Sequence, residues 1–200
     1  MRRGGRVPER SPALRGRMRK ALVLDRDGTL IRERHYLGRP EGVSLLPGVA
    51  EGLRACRELG FALVVVTNQS GLGRGLFTED DLASVHARMC GLLAERGVFL
   101  DGIYHCPHRP DEGCLCRKPE TGLVLRAGAE LGFDPSEAVV VGDKECDLGM
   151  ARKVGASGVL VRTGYGAETE ARGEVLPDAV LDDLGGLPAL LESMSAGVCG

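Results

Sequence analysis

Short apolar runs alternate with amphipathic segments along the body of this chain. The apolar runs predict five β-strands, which span 21–25, 61–67, 102–106, 138–142 and 157–161. The amphipathic segments predict helices near 49–59, 78–97, 120–131 and 146–154. Because this alternation is typical of βαβ units, the sequence predicts an α/β fold with a mainly parallel sheet. From about residue 163 the pattern weakens, and we expect one more short strand and a closing helix there.

The length of 200 residues suits one domain with its own core. We expect this domain to span 21–194, without an insertion large enough to form a separate cap domain. Residues 1–20 carry seven Arg and one Lys against one Glu, so they contribute +7 to a net charge of −2. This composition favours a disordered extension, or translation from Met18, over an arm that binds nucleic acid. Residues 195–200 are expected to form a flexible tail.

The cysteine content and the hydropathy of the chain indicate the cellular compartment of the protein. The seven cysteines are an odd number and three of them lie within 106–116, which argues against a disulfide framework and for reduced thiols. No stretch reaches the roughly 18 apolar residues that cross a bilayer, and the N-terminal segment lacks the apolar stretch of a secretory signal. We therefore expect a cytoplasmic monomer without a membrane partner.

Reactive side chains cluster where the predicted strands end. Asp25 and Asp27 end the first strand, "TNQS" at 67–70 ends the second, and "GDKECD" at 142–147 ends the fourth. Ligands of open parallel sheets bind at this edge. A single aspartate there is commonly a loop start or a helix cap, but several strands that deliver acid, amide and lysine to one edge favour a functional site.

These groups suit phosphoryl transfer, which needs a nucleophile and positive charge around the phosphate. Asp25, Asp27 and Asp143 offer the hard oxygen ligands that Mg²⁺ prefers. A bound ion would offset the repulsion between these acids. Lys118 and the hydroxyl of Thr67 are candidates to hold phosphoryl oxygens.

A cysteine-rich loop predicts a second metal. Its pattern is C-x-H-x5-C-x-C, formed by Cys106, His108, Cys114 and Cys116. Four nitrogen and sulfur ligands close a tetrahedral site, so we expect a structural Zn²⁺ that also places the residues after it, Arg117 and Lys118. The alternative, free surface thiols beside an unrelated histidine, is disfavoured by two close pairs within eleven residues. His86, by contrast, is expected to be an ordinary histidine on a helix surface.

The order of the motifs resembles the haloacid dehalogenase (HAD) phosphatases. The matching motifs are D-x-D-G-T at 25–29, Thr67 after the second strand, Lys118, and G-D-x-x-x-D at 142–147. The resemblance implies a three-layer, Rossmann-like fold. It also implies that Asp25 is the nucleophile that becomes an aspartyl phosphate.

By the same resemblance, Asp27 is the general acid toward the leaving alcohol and then the base that activates water. The magnesium ion would bind the side chains of Asp25 and Asp143 and the backbone carbonyl of Asp27. Asp147 would orient Lys118 or a water on the metal.

Within the superfamily, "TNQSGLGRGLFTE", "DGIYHCPH" and "CRKP" resemble the zinc-containing D-glycero-D-manno-heptose 1,7-bisphosphate 7-phosphatases and the related histidinol-phosphatases. The first two stretches are closer to the heptose branch. The five-residue gap between His108 and Cys114 is short, as in histidinol-phosphatases, so both substrates stay open.

The heptose branch implies a set of substrate-binding residues. Arg117 would bind the distal 1-phosphate, and residues 33–36 would contact the sugar, although Arg34 and His35 are equally compatible with a solvated loop. The full set is Glu33, Arg34, His35, Tyr36, Thr67, Asn68, Gln69, Ser70, Arg117, Lys118 and Lys144.

The leading hypothesis is thus a magnesium-dependent phosphatase that hydrolyses the 7-phosphate of a small phosphorylated sugar, D-glycero-D-manno-heptose 1,7-bisphosphate, in nucleotide-activated heptose synthesis. The first alternative is hydrolysis of histidinol phosphate by the same chemistry. A polynucleotide 3′-phosphatase would share the D-x-D-G-T and T-N-Q patterns and use the basic segment, but the cysteine loop argues against a nucleic-acid partner. A binding module without catalysis is the remaining alternative, although every acid and the lysine needed for turnover are present.

Overall fold

The computed structural model describes residues 19–196. The central feature is a sheet of six parallel strands in the order β3-β2-β1-β4-β5-β6. The strands are β1 (Ala21–Leu24), β2 (Ala62–Asn68), β3 (Gly102–Cys106), β4 (Val139–Gly142), β5 (Ser157–Val161) and β6 (Ala179–Leu181). The predicted α/β fold with a parallel sheet is confirmed.

Helices cover both faces of the sheet. They are α1 (Val49–Glu58), α2 (Ser70–Gly73), α3 (Glu79–Ala94), α4 (Gly122–Leu131), α5 (Glu145–Val154), α6 (Gly166–Arg172) and α7 (Leu187–Ala196). Alternation along β1 explains the three layers, because Leu22 and Leu24 pack into one apolar core while Ala21 and Val23 pack into the other. With both faces covered, β1 is a continuous apolar run with no polar side.

The position of β1 creates the crevice that a ligand needs. Its two neighbours are β2 and β4, so the chain connections leave β1 in opposite directions along the sheet. In open parallel sheets this switch point opens a crevice at the carboxyl ends of the strands. The residues that follow β1, β2 and β4 therefore meet at one place.

The five strands predicted from the apolar runs are found within one residue of their predicted ends, and the weak C-terminal region contains the expected sixth strand and closing helix. The predicted cap of α3 is also present, because the Thr78 hydroxyl accepts from the backbone N–H of Asp81 at 3.2 Å. The pattern did not predict α2 or α6. Both are short, four and seven residues, so neither repeats an apolar face often enough to be recognised.

Among residues 19–196, no inserted domain interrupts the sheet. The longest connection, 25–48 between β1 and α1, contains a short 3₁₀ turn and isolated bridges that join Ile31 to Asp27 and Leu45. The predicted basic extension lies outside the described residues up to position 18. Helix α7 runs to Ala196, two residues into the expected tail, and the rest of that tail is also outside. In the described part of the chain, every helix is too short or too polar to cross a bilayer.

Candidate active site

Asp25 and Lys118 form the buried base of the crevice. The backbone N–H of Asp25 donates to the carbonyl of Val141 at 2.9 Å, which extends the pairing of β1 with β4 by one residue. The Lys118 ammonium donates to Asp25 Oδ1 and to the carbonyl of Val66, each at 2.6 Å, and lies 2.6 Å from Asp147 Oδ1. Side chains from three separate parts of the chain thus meet around one cation.

The charges in this cluster hold each other in the ionised state. Burial opposes the positive charge of Lys118, but the carboxylates of Asp147 and Asp25 raise its pKa above the ordinary value. Burial likewise opposes the negative charge of Asp25, yet Lys118 and Lys144 lower its pKa below the usual range. Asp25 is therefore an ionised carboxylate, as a nucleophile must be.

Asn68, at the end of β2, fixes the backbone of Lys118. Its side-chain oxygen accepts from the Lys118 N–H at 3.0 Å, and its amide nitrogen donates to the Lys118 carbonyl at 3.1 Å. These two bonds join the carboxyl end of β2 to the segment that follows the cysteine loop. We name this pair of bonds the Asn68–Lys118 clamp.

Asp143, directly after β4, has the surroundings of a metal ligand. Its Oδ2 accepts from the backbone N–H of Tyr165 at 2.8 Å, whereas its buried Oδ1 has no hydrogen-bond partner within residues 19–196. Burial and the charge of Asp25 raise the pKa of Asp143 to about 8. Gly28 and Gly164 allow the backbone to approach, because a Cβ at either position would overlap with Oδ2.

The three carboxylates Asp25, Asp143 and Asp147, named here the acidic centre, bring ligand oxygens within 4.8 Å of one another. Asp147 is the least available of them, since its Oδ1 pairs with Lys118 and its Oδ2 accepts from the Lys144 N–H at 3.1 Å. The unpartnered oxygen of Asp143 therefore points to a cation beside Asp25 and Asp143. Carboxylate oxygens are the ligands that Mg²⁺ prefers, so the site fits this ion.

Asp27 lies two residues beyond the nucleophile and is held by Arg26. The Arg26 guanidinium donates to both carboxylate oxygens of Asp27, at 3.0 Å each, and Gln69 donates to Oδ2 at 2.8 Å. Burial raises the pKa of Asp27 even though the charge of Arg26 opposes this shift. A carboxyl group with a raised pKa in a cleft is suited to carry a proton.

A cleft of about 630 Å³ opens above these groups. Most of the predicted substrate residues line it, namely Glu33, His35, Tyr36, Thr67, Asn68, Gln69, Ser70, Arg117, Lys118 and Lys144. Arg34 does not line it and instead faces a neighbouring cleft beside Arg39. The backbone explains this separation, because His35 and Tyr36 adopt positive φ values of 40° and 53° that turn the loop directly after Arg34.

Five residues that line the cleft are absent from the predicted set, and three of them, Arg26, Cys146 and Tyr165, carry polar or reactive side chains; the other two are Leu37 and Gly71. Arg26 lies between the two aspartates, Cys146 follows β4, and Tyr165 follows β5. The ring of Tyr165 lies 4.8 Å from the Lys144 ammonium, which also pairs with Glu33 at 3.0 Å. The signal for Tyr165 was available, since a residue after the fifth strand should reach the same edge as those after the other strands.

The four predicted zinc ligands, named here the cysteine cluster, also converge. Cys106 Sγ lies 3.6 Å from His108 Nδ1 and 3.6 Å from Cys114 Sγ, and Cys116 Sγ lies 3.2 Å from both Cys106 Sγ and His108 Nδ1. All four ligand atoms lie within 4.8 Å of one another. This set fits tetrahedral Zn²⁺, whose bonds of about 2.0 to 2.3 Å require ligand atoms at such separations.

The chain is similar to known proteins over most of its length. Residues 115–187 match a family model described as HAD-hydrolase-like. The D-glycero-beta-D-manno-heptose-1,7-bisphosphate 7-phosphatase of Haemophilus influenzae is 43% identical over 185 residues, covering 88% of this chain and 99% of the relative. The protein of the same name from Yersinia pestis is also 43% identical, over 86% of this chain and 95% of the relative.

A solved structure agrees with these relatives. It is the D,D-heptose 1,7-bisphosphate phosphatase of B. bronchiseptica in complex with magnesium and phosphate, with 34% identity and a TM-score of 0.82. The match covers 88% of this chain and 99% of the other. The resemblance to the heptose branch is confirmed, despite the short gap in the cysteine loop. The chain belongs to the heptose-1,7-bisphosphate 7-phosphatase family of the HAD hydrolases.

Proposed function

We propose that this chain hydrolyses the 7-phosphate of D-glycero-β-D-manno-heptose 1,7-bisphosphate with the help of magnesium, as a step of nucleotide-activated heptose synthesis. The observation that carries the proposal is the ionised Asp25 beside Lys118 and the unpartnered oxygen of Asp143, at the base of a polar cleft. The preference for the β anomer rests on the names of the relatives.

Asp25 attacks the phosphorus of the 7-phosphate and forms an aspartyl phosphate, which divides a difficult hydrolysis into two easier displacements. The Lys118 ammonium and the Thr67 hydroxyl hold the phosphoryl oxygens. Asp27 gives a proton to the leaving sugar oxygen, and it then takes a proton from the water that hydrolyses the aspartyl phosphate. A bound magnesium ion supplies further positive charge at the phosphoryl oxygens.

Arg117 and Lys144 are positioned to select the substrate. Both line the cleft, and the Arg117 guanidinium donates to the carbonyl of His108 at 3.4 Å, within the cysteine loop. In our proposal Arg117 binds the distal 1-phosphate in a two-pronged manner. The four ligands of the cysteine cluster would hold a structural zinc ion, which would support the loop and take no part in the reaction.

A turnover panel tests the proposed substrate. It contains both anomers of heptose 1,7-bisphosphate, histidinol phosphate and a 3′-phosphorylated oligonucleotide, each with added Mg²⁺. We expect a higher kcat/KM for the heptose bisphosphates than for histidinol phosphate, because their distal phosphate supplies binding energy that histidinol phosphate lacks. Between the two anomers we expect the β form to be preferred, as in the names of the relatives. A higher kcat/KM for histidinol phosphate would overturn the proposal in favour of that alternative. Cytoplasmic location and a monomeric state stay predictions.

A further inference from the structure

Arg26 is a charged side chain buried directly beneath the proposed proton-transfer group. It is 0% exposed and is among the largest fully buried side chains of the described chain. A buried charge is costly unless it is paired and hydrogen-bonded. Its Nε donates to Asp27 Oδ2, and its Nη2 donates to Asp27 Oδ1 and also lies 2.9 Å from Oδ2, so the guanidinium binds both oxygens of the carboxylate.

Two further side chains fix the guanidinium from other sides. Nη2 also donates to Gln69 Oε1 at 3.0 Å, and Nη1 donates to His86 Nε2 at 3.1 Å. Gln69 closes a ring, because its Nε2 donates to Asp27 Oδ2 and to the hydroxyl of Thr67. The orientation of Asp27 is therefore set by Gln69, directly after β2, and through Arg26 by His86 of α3, both far from it in sequence.

His86 can accept this bond because it stays neutral. Burial, the charge of Arg26 and the nearby ring of His105 lower the pKa of His86 to about 3. The two imidazole centroids lie 6.0 Å apart, and His105 pairs with Glu79 at 3.2 Å. The expectation of an ordinary surface histidine is thus wrong: His86 is half-buried and supports Arg26 from behind.

Counting acceptor positions shows which oxygen of Asp27 is available. An ionised carboxylate offers about four lone-pair positions, two on each oxygen. Within residues 19–196, Oδ2 accepts from Arg26 and from Gln69, whereas Oδ1 accepts from Arg26 alone. One position on Oδ1 is left for a proton.

We propose that Arg26, held by His86 and Gln69, is a positioning residue that aims Oδ1 of Asp27 at the leaving-group oxygen. This inference rests on the proposed function, in which Asp27 transfers the proton. The proton on Oδ1 moves to the leaving oxygen as that oxygen keeps the electron pair of the broken P–O bond. In the second step Oδ1 takes a proton from the attacking water, whose oxygen bonds to phosphorus while the Asp25–phosphorus bond breaks.

The test compares two leaving groups. Wild type, Asp27→Asn and Arg26→Met are assayed with heptose 1,7-bisphosphate, whose alkoxide must be protonated, and with p-nitrophenyl phosphate, whose phenolate needs no proton. The second step is common to both substrates, so the comparison is made on the first step, the release of the leaving group in a single turnover. We expect Arg26→Met to slow this step by about 10²-fold with the sugar phosphate, as expected when general acid catalysis is lost, and to change the release of p-nitrophenolate little. Asp27→Asn should show the same selectivity. Equal losses in the first step on both substrates, for either variant, would overturn the inference.

Two matched comparisons separate positioning from folding. His86→Gln keeps an acceptor for Arg26 and should retain most of the activity, whereas His86→Leu removes the acceptor and should lose activity selectively on the sugar phosphate. Arg57→Met removes an arginine that pairs with Asp101 at 2.8 Å, away from the cleft, and should not alter the ratio between the substrates. Equal behaviour of His86→Gln and His86→Leu would contradict the role of His86.

Different results would contradict the positioning role of Arg26 and the proposed substrate. If wild type does not cleave heptose 1,7-bisphosphate, the proposed substrate is wrong, and the same comparison is made with glycerol 2-phosphate as the alkyl substrate. Selective loss on that substrate would still support Arg26 as a positioning residue. Equal loss there would overturn it.

Discussion

The acidic centre and the cysteine cluster each bring several potential cation ligands close together. They differ in whether the protein places a positively charged side chain among those ligands. The acidic centre contains Lys118, whose ammonium lies 2.6 Å from both Asp25 and Asp147. The thiols of the cysteine cluster contact one another and His108, and burial raises the pKa of Cys106 and Cys116. In the described part of the chain, no lysine or arginine pairs with these thiols.

This difference indicates that the acidic centre serves the reaction and that the cysteine cluster serves the stability of the fold. Lys118 neutralises part of the acidic centre before any ion binds, because it pairs with two of the three carboxylates. The geometry there is therefore built largely by folding, and the ion serves the reaction. Burial opposes ionisation of Cys114 as well, but hydrogen bonds from the backbone of Cys116 and Arg117 lower the pKa of its thiol to about 7. Cys106 and Cys116 lose their protons when a metal displaces them, so there the ion serves the fold.

The largest effect is expected for Asp25→Asn. The amide keeps the shape of the side chain but is a poor nucleophile, so kcat should fall by about 10⁴-fold or more. Because Lys118 keeps its partner Asp147, thermal unfolding should change little. Steady-state kinetics and calorimetry check both statements. Asp80→Asn, at an exposed position of α3, is the matched control and should behave as wild type. Substantial turnover by Asp25→Asn would remove the proposed mechanism.

Removal of one zinc ligand should act mainly on stability. We expect Cys114→Ser to lose its zinc, as measured by elemental analysis, and to lower the free energy of unfolding by on the order of 3 kcal/mol. Turnover of p-nitrophenyl phosphate should persist, because the Asn68–Lys118 clamp holds Lys118 from β2.

Cys90→Ser, on α3, is the control for this variant and should retain zinc. Wild-type protein that contains no zinc when prepared without chelators would contradict the assignment of the cysteine cluster.

The link between the two regions is Arg117, which follows the last zinc ligand and lines the cleft. Arg117→Ala should cost about 2 kcal/mol in kcat/KM for the bisphosphate, in the range of a hydrogen bond to a charged group. Because the distal phosphate helps to align the reacting one, part of the loss should appear in kcat. Heptose 7-phosphate, which lacks the 1-phosphate, should be nearly unaffected.

Arg109→Ala is the matched control, since Arg109 belongs to the same loop but pairs with Asp111 and Glu112 away from the cleft. If Arg117→Ala slows the bisphosphate and the monophosphate equally, Arg117 serves the transferring phosphate instead.

The smallest expected effect is on the pH dependence of stability, through His86, which contacts the buried cation Arg26. The pKa of His86 falls from 6.5 to about 3 on folding, so the unfolded chain binds a proton below pH 6.5 while the folded chain does not. The stability that neutral His86 contributes is therefore present above pH 6.5 and is lost as the pH falls toward 3. Between pH 7 and pH 5, wild type should lose on the order of 1 to 2 kcal/mol more than His86→Gln.

Chemical denaturation at both pH values measures this difference. The groups that face His86 are Arg26, two residues after β1, and His105 of β3, which pairs with Glu79. Parallel pH dependence of the two proteins would show that His86 titrates normally in the folded state.

The sequence predicted correctly those features that depend on residues close together in the chain. The strands are buried on both faces and therefore appear as apolar runs, and the zinc ligands lie close together in the chain. Arg26 was missed because its direction is decided by Gln69 and His86, which are 43 and 60 positions away. Arg34 was assigned with its neighbours, but two left-handed residues turn the loop after it.

The Asn68–Lys118 clamp also bears on how such a protein can change over evolutionary time. Because two bonds from the end of β2 hold the backbone of Lys118, the lysine has an anchor that is independent of the metal loop before it. A lineage that loses its cysteines can therefore keep the lysine in register with the nucleophile. The sequence of the loop can then change, and with it the leaving group that the cleft accepts, while the nucleophile and the lysine keep their positions and the hydrolytic reaction stays the same.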